Sequence, residues 1–336
     1  MSEIDLSKRP VKSYFHPWAS ILLSPHARLN ALAWATVMAV ILIDYGWMRQ
    51  AGFTVSAGSV TRSVTKLLVP TCVMLILRGI AFMPRYSKGV VRLRIHNGCV
   101  ILHAVVLMSL FAQAAVILQN LGVSLARPLI DHELIALDAA LGFHWPDLLA
   151  WQMRHHVSSV VLATIYLSYV PQVALTIVAL VIAGRADDLA DFMLLFMAIA
   201  IATILISAPF PASDPLIHFG LLGPHEDTPW SQFYALREGS MSIFDLDKRQ
   251  GLISMPSLHA AHAVLFAYAV RHIRWLFPVS IVWNVAMAYS AIPFGAHYLV
   301  DIIAGVVLAA ASIAIARYLK RRRGVEFLEP SIQPTQ

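Results

Sequence analysis

The sequence predicts an all-α fold: a polytopic transmembrane bundle of about eight helices with an interfacial amphipathic helix. Two observations predict it. Of the 336 residues, 58% are hydrophobic and 13% charged, and the mean hydropathy is +0.69, so too little charge is present to cover a water-soluble surface. The apolar residues also fall in runs approaching the roughly 17–25 residues that a spanning helix needs.

Eight such runs are visible: Asn30–Trp47, Leu67–Met83, Gly98–Leu118, Ser158–Ala183, Phe192–Phe210, Leu258–Val270, Leu276–Pro293 and Tyr298–Tyr318. The sixth is too short to span alone. Either it tilts and snorkels Arg271 and Arg274 outward, or it starts below the headgroup plane inside the bundle. Before the first run, residues 1–28 read as a cytoplasmic segment without the apolar core and small-residue site of a cleaved signal peptide. Residues 29–119 read as N-terminal transmembrane helices, residues 120–318 as a second membrane domain and residues 319–336 as a basic, disordered cytoplasmic tail.

Basic residues set the orientation. With a cytoplasmic N-terminus and eight crossings, 17 of the 25 Lys and Arg residues face the cytoplasm, as the positive-inside rule favours. Trp47, Trp145, Trp151 and Trp230 then mark the outer interface and Trp275 the inner one. The formal charge of +6 fits loops facing anionic lipid, and no interleaving of aromatics with arginines suggests a nucleic-acid partner. Cys72 and Cys99 read as packing residues, and two cysteines make no metal framework.

Two stretches lie outside the spans. Leu121–Val157 carries Arg127-Pro128, Asp131, Asp138 and Trp145-Pro146, and its Leu134, Leu137 and Leu141 suggest a helix lying in the outer interface. Pro211–Met255 is long, rich in Pro, Gly, Asp and Trp, and includes Arg237, Asp245, Asp247, Lys248 and Arg249. Loops of this length usually bind or cover something.

The chemistry gathers on the same outer face. His297 and Asp301 are four residues apart at the start of the last helix, so the carboxylate can hold one ring nitrogen and turn the other outward. A carboxylate one turn into a spanning helix is costly, about 2.5–3.5 kcal/mol on insertion scales, and marks a functional position. Pro256 and Ser257 form a helix start, with His259 beside free amides and a positive dipole end, an anion site. His103, and His262 taken alone, read as packing histidines. Arg237, Lys248, Arg249 and Arg127 are candidate phosphate-binding cations, although Asp245 and Asp247 are near enough in sequence to pair with Lys248 and Arg249. Two other readings use the same residues. A metal-dependent hydrolase would draw ligands from His259, His262, His297 and Asp301, and a transporter would use intramembrane polar groups along a path.

Pro256-Ser257-Leu258-His259 resembles the second motif (P-S-G-H) of the type 2 phosphatidic acid phosphatase superfamily, and Ser290 to Asp301 resembles its third (S-R-x5-H-x3-D). Leu258 at the Gly position and the run Ala296-His297-Tyr298-Leu299-Val300-Asp301-Ile302-Ile303-Ala304-Gly305 resemble the branch that includes the fungal inositol phosphorylceramide synthases. The resemblance implies a six-helix phosphatase-like core, with residues 120–318 as the catalytic membrane domain. It implies metal-free, cofactor-free phosphoryl transfer on a lipid such as a phospholipid, a sphingolipid or a polyprenyl phosphate. In that scheme His297, oriented by Asp301, attacks phosphorus, and His259 protonates the leaving oxygen. Water, an alcohol or a polyol then resolves a phosphohistidine, on the non-cytoplasmic face of the membrane. Two family cations are absent: Asn120 stands where the first motif (K-x6-R-P, ending here at Arg127-Pro128) has Lys, and Ala291 where the third has Arg. Arg237, Lys248, Arg249 and the Ser257 hydroxyl are the substitutes expected to meet the phosphate charge.

Overall fold

The structure, a computed structural model, describes residues 25–86, 88–213, 215–221, 231–247 and 251–326. The helices are α1 (Pro25–Ala51), α2 (Ala57–Ala81), α3 (Gly89–Ser124), α4 (Asp131–Ala140), α5 (Trp145–Arg154), α6 (His156–Leu167), α7 (Tyr169–Ile182), α8 (Ala186–Ser207), α9 (Pro215–His218), α10 (Ser231–Arg237), α11 (Leu258–Ala269), α12 (Leu276–Phe294) and α13 (Leu299–Glu326). Two dipeptide strands, β1 (Thr54–Val55) and β2 (Ile243–Phe244), and a 3-10 turn at Pro84–Tyr86 complete the described elements.

Six of these helices are long and apolar enough to cross a membrane: α1, α2, α3, α8, α12 and α13. The fourth run is a broken span, α6 and α7 meeting at 54°. Pro171 has no N–H to offer the Leu167 carbonyl, and the Ser168 hydroxyl donates back to the Ile165 carbonyl at 2.6 Å, so the ladder fails there. The break brings Tyr166 and Tyr169 to face α11. The sixth run is α11, whose 12 residues reach about 18 Å, short of a hydrocarbon core of about 30 Å. Its N-terminus lies within the bundle, where Ser257 is wholly buried.

Several elements extend past the predicted runs. Helix α2 begins ten residues before Leu67 because its first turns carry Arg62 and Lys66, which find a partner across the loop. Asp247 accepts from Lys66 Nζ at 2.6 Å and from Arg62 Nε at 2.5 Å. Lys248 and Arg249, the sequence neighbours expected to pair with Asp245 and Asp247, lie outside the described residues. Strand β1 pairs in parallel with β2, Thr54 opposite Ile243 and Val55 opposite Phe244, so the end of α1 and the long loop share one face. Helix α13 runs to Glu326 through residues expected to be disordered from 319, and Lys320 pairs there with Asp191.

The interfacial segment is two short helices rather than one. In α4 the buried face is Asp131, Leu134 and Asp138, whereas Leu137 and Leu141 are exposed. Trp145, expected as an interface marker, is 3% exposed. It belongs to a buried cluster with Ala260, Ala291, Ile292 and Ile302. The largest cluster unites α3, α7, α8, α11 and α12 around Leu107, Phe111, Leu180, Phe192, Ile199, Leu265 and Met287.

Candidate active site

Two helix starts meet at one end of the bundle, and a glycine lets them do so. A side chain on Gly305 would occupy the place of the Ser257 carbonyl oxygen and would crowd Ala260 Cβ at 3.2 Å. With hydrogen at that position α13 lies directly against the first turn of α11. The Ser257 amide then donates to the Asp301 main-chain carbonyl at 2.9 Å, and the Ser257 hydroxyl caps α11 by accepting from the Ala260 amide at 3.4 Å.

Asp301 is wholly buried, and its Oδ2 is the hub of the site. It accepts from Ser254 Oγ at 2.7 Å, from the Tyr298 amide at 2.9 Å and from His297 Nδ1 at 3.3 Å. A carboxylate acceptor fixes the proton on Nδ1 and leaves Nε2 as the basic nitrogen. No hydrogen bond among the described residues uses that Nε2. His297 is itself 4% exposed, so its ring is held on both flanks. Gly295 is part of that fit, for a Cβ there would lie 2.8 Å from His297 Cδ2 and 3.2 Å from Tyr166 Cε2.

His259 is the second residue of α11 and is half-buried. Its ring stacks on Tyr166 (centroids 4.4 Å apart, 21°) and leans on Tyr169 (4.6 Å, 48°). Tyr166 therefore touches the His259 ring on one side and borders the Gly295–His297 turn on the other. The second histidine of α11 is used differently. His262 Nε2 donates to the Phe196 carbonyl at 3.2 Å, which leaves Nδ1 to accept from the Tyr169 hydroxyl at 2.6 Å. Both His262 ring nitrogens are thus hydrogen-bonded within the core.

Two carboxylates that the sequence reading placed only on an interfacial helix support this arrangement from below. Asp138 accepts from the Leu299 and Val300 amides, each at 2.9 Å, and so caps α13. Burial pushes its carboxyl up from the ordinary range while those two amides pull it down. Asp131 accepts from the Tyr298 hydroxyl at 2.8 Å and from the amide and hydroxyl of Ser213. The signal was present as the seven-residue spacing of Asp131 and Asp138, two turns on one face. Ser254, Tyr166 and Tyr169 carried no signal short of tertiary contact.

The expected cations are less central. Arg237 Nη2 donates to the Arg127 carbonyl at 2.7 Å and its guanidinium lies over the Phe233 ring at 5.3 Å. Its Nη1 is buried with no partner, and burial lowers its pKa from the ordinary value. No hydrogen bond joins it to His259 or His297. The Arg127 side chain is exposed, and among the described residues only its carbonyl is engaged.

A family model described as PAP2 superfamily matches residues 132–315. The chain belongs to the PAP2 superfamily. The match covers α4 to α13 and both motif segments, and this PAP2 protein is accordingly a phosphatase-type phosphoryl-transfer protein of the membrane. Searches of curated proteins and of solved structures return no significant match.

Proposed function

We propose that this PAP2 protein transfers phosphoryl groups from a lipid phosphate or phosphodiester through a phosphohistidine on His297, with no metal ion, on the non-cytoplasmic face. The observation that carries the reading is the His297 Nδ1 bond to buried Asp301, which leaves Nε2 as the nucleophile. A 3.3 Å contact of this kind tightens when the ring becomes cationic.

In the first step Nε2 attacks phosphorus, the P–O bond to the leaving group breaks, and His259, protonated, gives its proton to the departing oxygen. In the second, neutral His259 takes a proton from water or an alcohol, whose oxygen attacks phosphorus and releases His297. Asp301 holds the imidazolium between steps. Negative charge on the non-bridging oxygens is met by the Leu258 and His259 amides, the Ser257 hydroxyl and Arg237 Nη1. Lys248, Arg249 and Arg127 remain proposed outer contacts, and residues 120–318 the proposed catalytic domain.

Water as acceptor makes the protein a lipid phosphatase. A polyol or lipid hydroxyl makes it a headgroup transferase of the inositol phosphorylceramide synthase type. The test is a panel of phospholipid, sphingolipid and polyprenyl phosphate donors, with and without inositol or diacylglycerol, products identified by mass. Turnover that survives chelator and vanishes in His297→Ala supports the reading. Turnover of His297→Ala within tenfold of wild type refutes it.

A further inference from the structure

Ala291 stands where the superfamily motif has an arginine, which leaves the site short of one guanidinium. The neighbourhood of that position contains a donor of another kind. Trp145, the first residue of α5, lies in the same buried cluster as Ala291, Ala260 and Ile292, with Tyr166 packed against the cluster. Its ring is nearly parallel to that of Phe219, with centroids 6.4 Å apart and planes 11° apart. The residue is 3% exposed, yet its indole Nε1–H has no hydrogen-bond partner among the described residues. An orphaned buried donor costs about 1–3 kcal/mol, and tryptophan in a core normally finds an acceptor. Beside a wholly buried Ala291 and close to the ring that stacks on His259, the missing acceptor has an obvious chemistry.

We propose that Trp145 is a substrate-binding residue whose indole N–H donates to a phosphoryl oxygen, a neutral replacement for the arginine that Ala291 displaces. The inference extends the phosphoryl-transfer reading above. A tryptophan gives one hydrogen bond and no charge where arginine gives a charged fork. Its bulk also excludes water from the wall of the site, where hydrogen bonds to charge are strongest. The site would thereby favour a phosphodiester, with one negative charge, over a phosphomonoester dianion, which ties Trp145 to a headgroup-transfer role.

The test replaces Trp145 in the full-length protein by β-(3-benzothienyl)alanine, which keeps the fused-ring shape and removes the N–H. Orthovanadate affinity is read by calorimetry and p-nitrophenyl phosphate turnover by absorbance. The proposal expects vanadate affinity to fall about tenfold to hundredfold, the range of a hydrogen bond to a charged group, with the thermal midpoint unchanged. A second arm compares Trp145→Ala with Trp145→Ala/Ala291→Arg. The double variant should regain vanadate affinity, because a guanidinium supplies the charged donor that the proposal says the indole replaces. Equal vanadate affinity of the benzothienyl variant and wild type overturns the proposal. If vanadate affinity falls as expected but wild type and His297→Ala turn over p-nitrophenyl phosphate equally, the indole donor stands and the phosphohistidine reading fails.

Discussion

The carbonyl oxygen of Ser257 fills the space that a side chain on Gly305 would need. This one contact holds the start of α11 against α13 and so sets His259 relative to His297 and Asp301. Gly305→Ala forces backbone, which cannot turn aside, to move. Overpacking of this kind costs about 1–3 kcal/mol, so the variant should unfold at lower temperature and lose turnover as the two helix starts separate. Thermal unfolding in detergent, together with an assay of the same sample, checks it. Wild-type values in both would show that the approach of the two helices is dispensable.

Tyr169 is predicted to stabilise the protein through His262. Tyr169→Phe removes the hydroxyl and leaves Nδ1 of a wholly buried imidazole without a partner, a loss of about 1–3 kcal/mol. In a double-mutant cycle with His262→Phe, the cost of losing the hydroxyl should largely disappear. Additive effects would mean that the 2.6 Å contact contributes nothing.

The clasp between Asp247 and α2 has a pH dependence with a definite sign. The Lys66 ammonium and, after it, the Arg62 guanidinium hold the Asp247 carboxyl below its ordinary value of 3.8. A depressed value means the clasp contributes fully above the ordinary value and is lost only as pH falls through the lower, folded-state one. An environment-sensitive dye on Ser240→Cys, in a background lacking Cys72 and Cys99, should report a docked loop down to pH 4 and release below it. In Asp247→Asn the dye should report release at neutral pH. Release of the wild-type loop near pH 5 would contradict the assignment.

The proposed sidedness rests on the expected distribution of 17 basic residues against 8. The same Ser240→Cys protein should react with an impermeant maleimide added outside intact cells, and a cysteine at Gly324 should react only after lysis. The reverse pattern would turn the site towards the cytoplasm.

The bundle was readable because spanning helices declare themselves by length and apolarity, and each of the eight runs is a helix or, at Ser168, a bent pair. The helix ends were not, because Arg62 and Lys66 look like loop charges until Asp247 is seen 181 residues away from Lys66. The dyad was legible because His297 and Asp301 are four apart on one helix, a local relationship. Its support was not: Asp131 and Asp138 reach α13 from a segment more than 160 residues earlier. Of the three leucines beside them only Leu134 is buried, while both carboxylates are, because their oxygens satisfy the amides and the hydroxyl at the start of α13. Trp145 is buried for a related reason, since a tryptophan near a membrane surface packs as readily into a core cluster as it anchors at the interface.

The most direct test of the account is the covalent intermediate. In His259→Ala the acid for departure and the base for resolution are both missing, but a good leaving group needs no acid. Incubating this variant with radiolabelled p-nitrophenyl phosphate should accumulate acid-labile, base-stable phosphate on the protein, mapped by mass spectrometry to His297 and absent from His259→Ala/His297→Ala. Turnover of the same substrate by the wild type, with no label trapped in the variant or with the label on another residue, would contradict the phosphohistidine route.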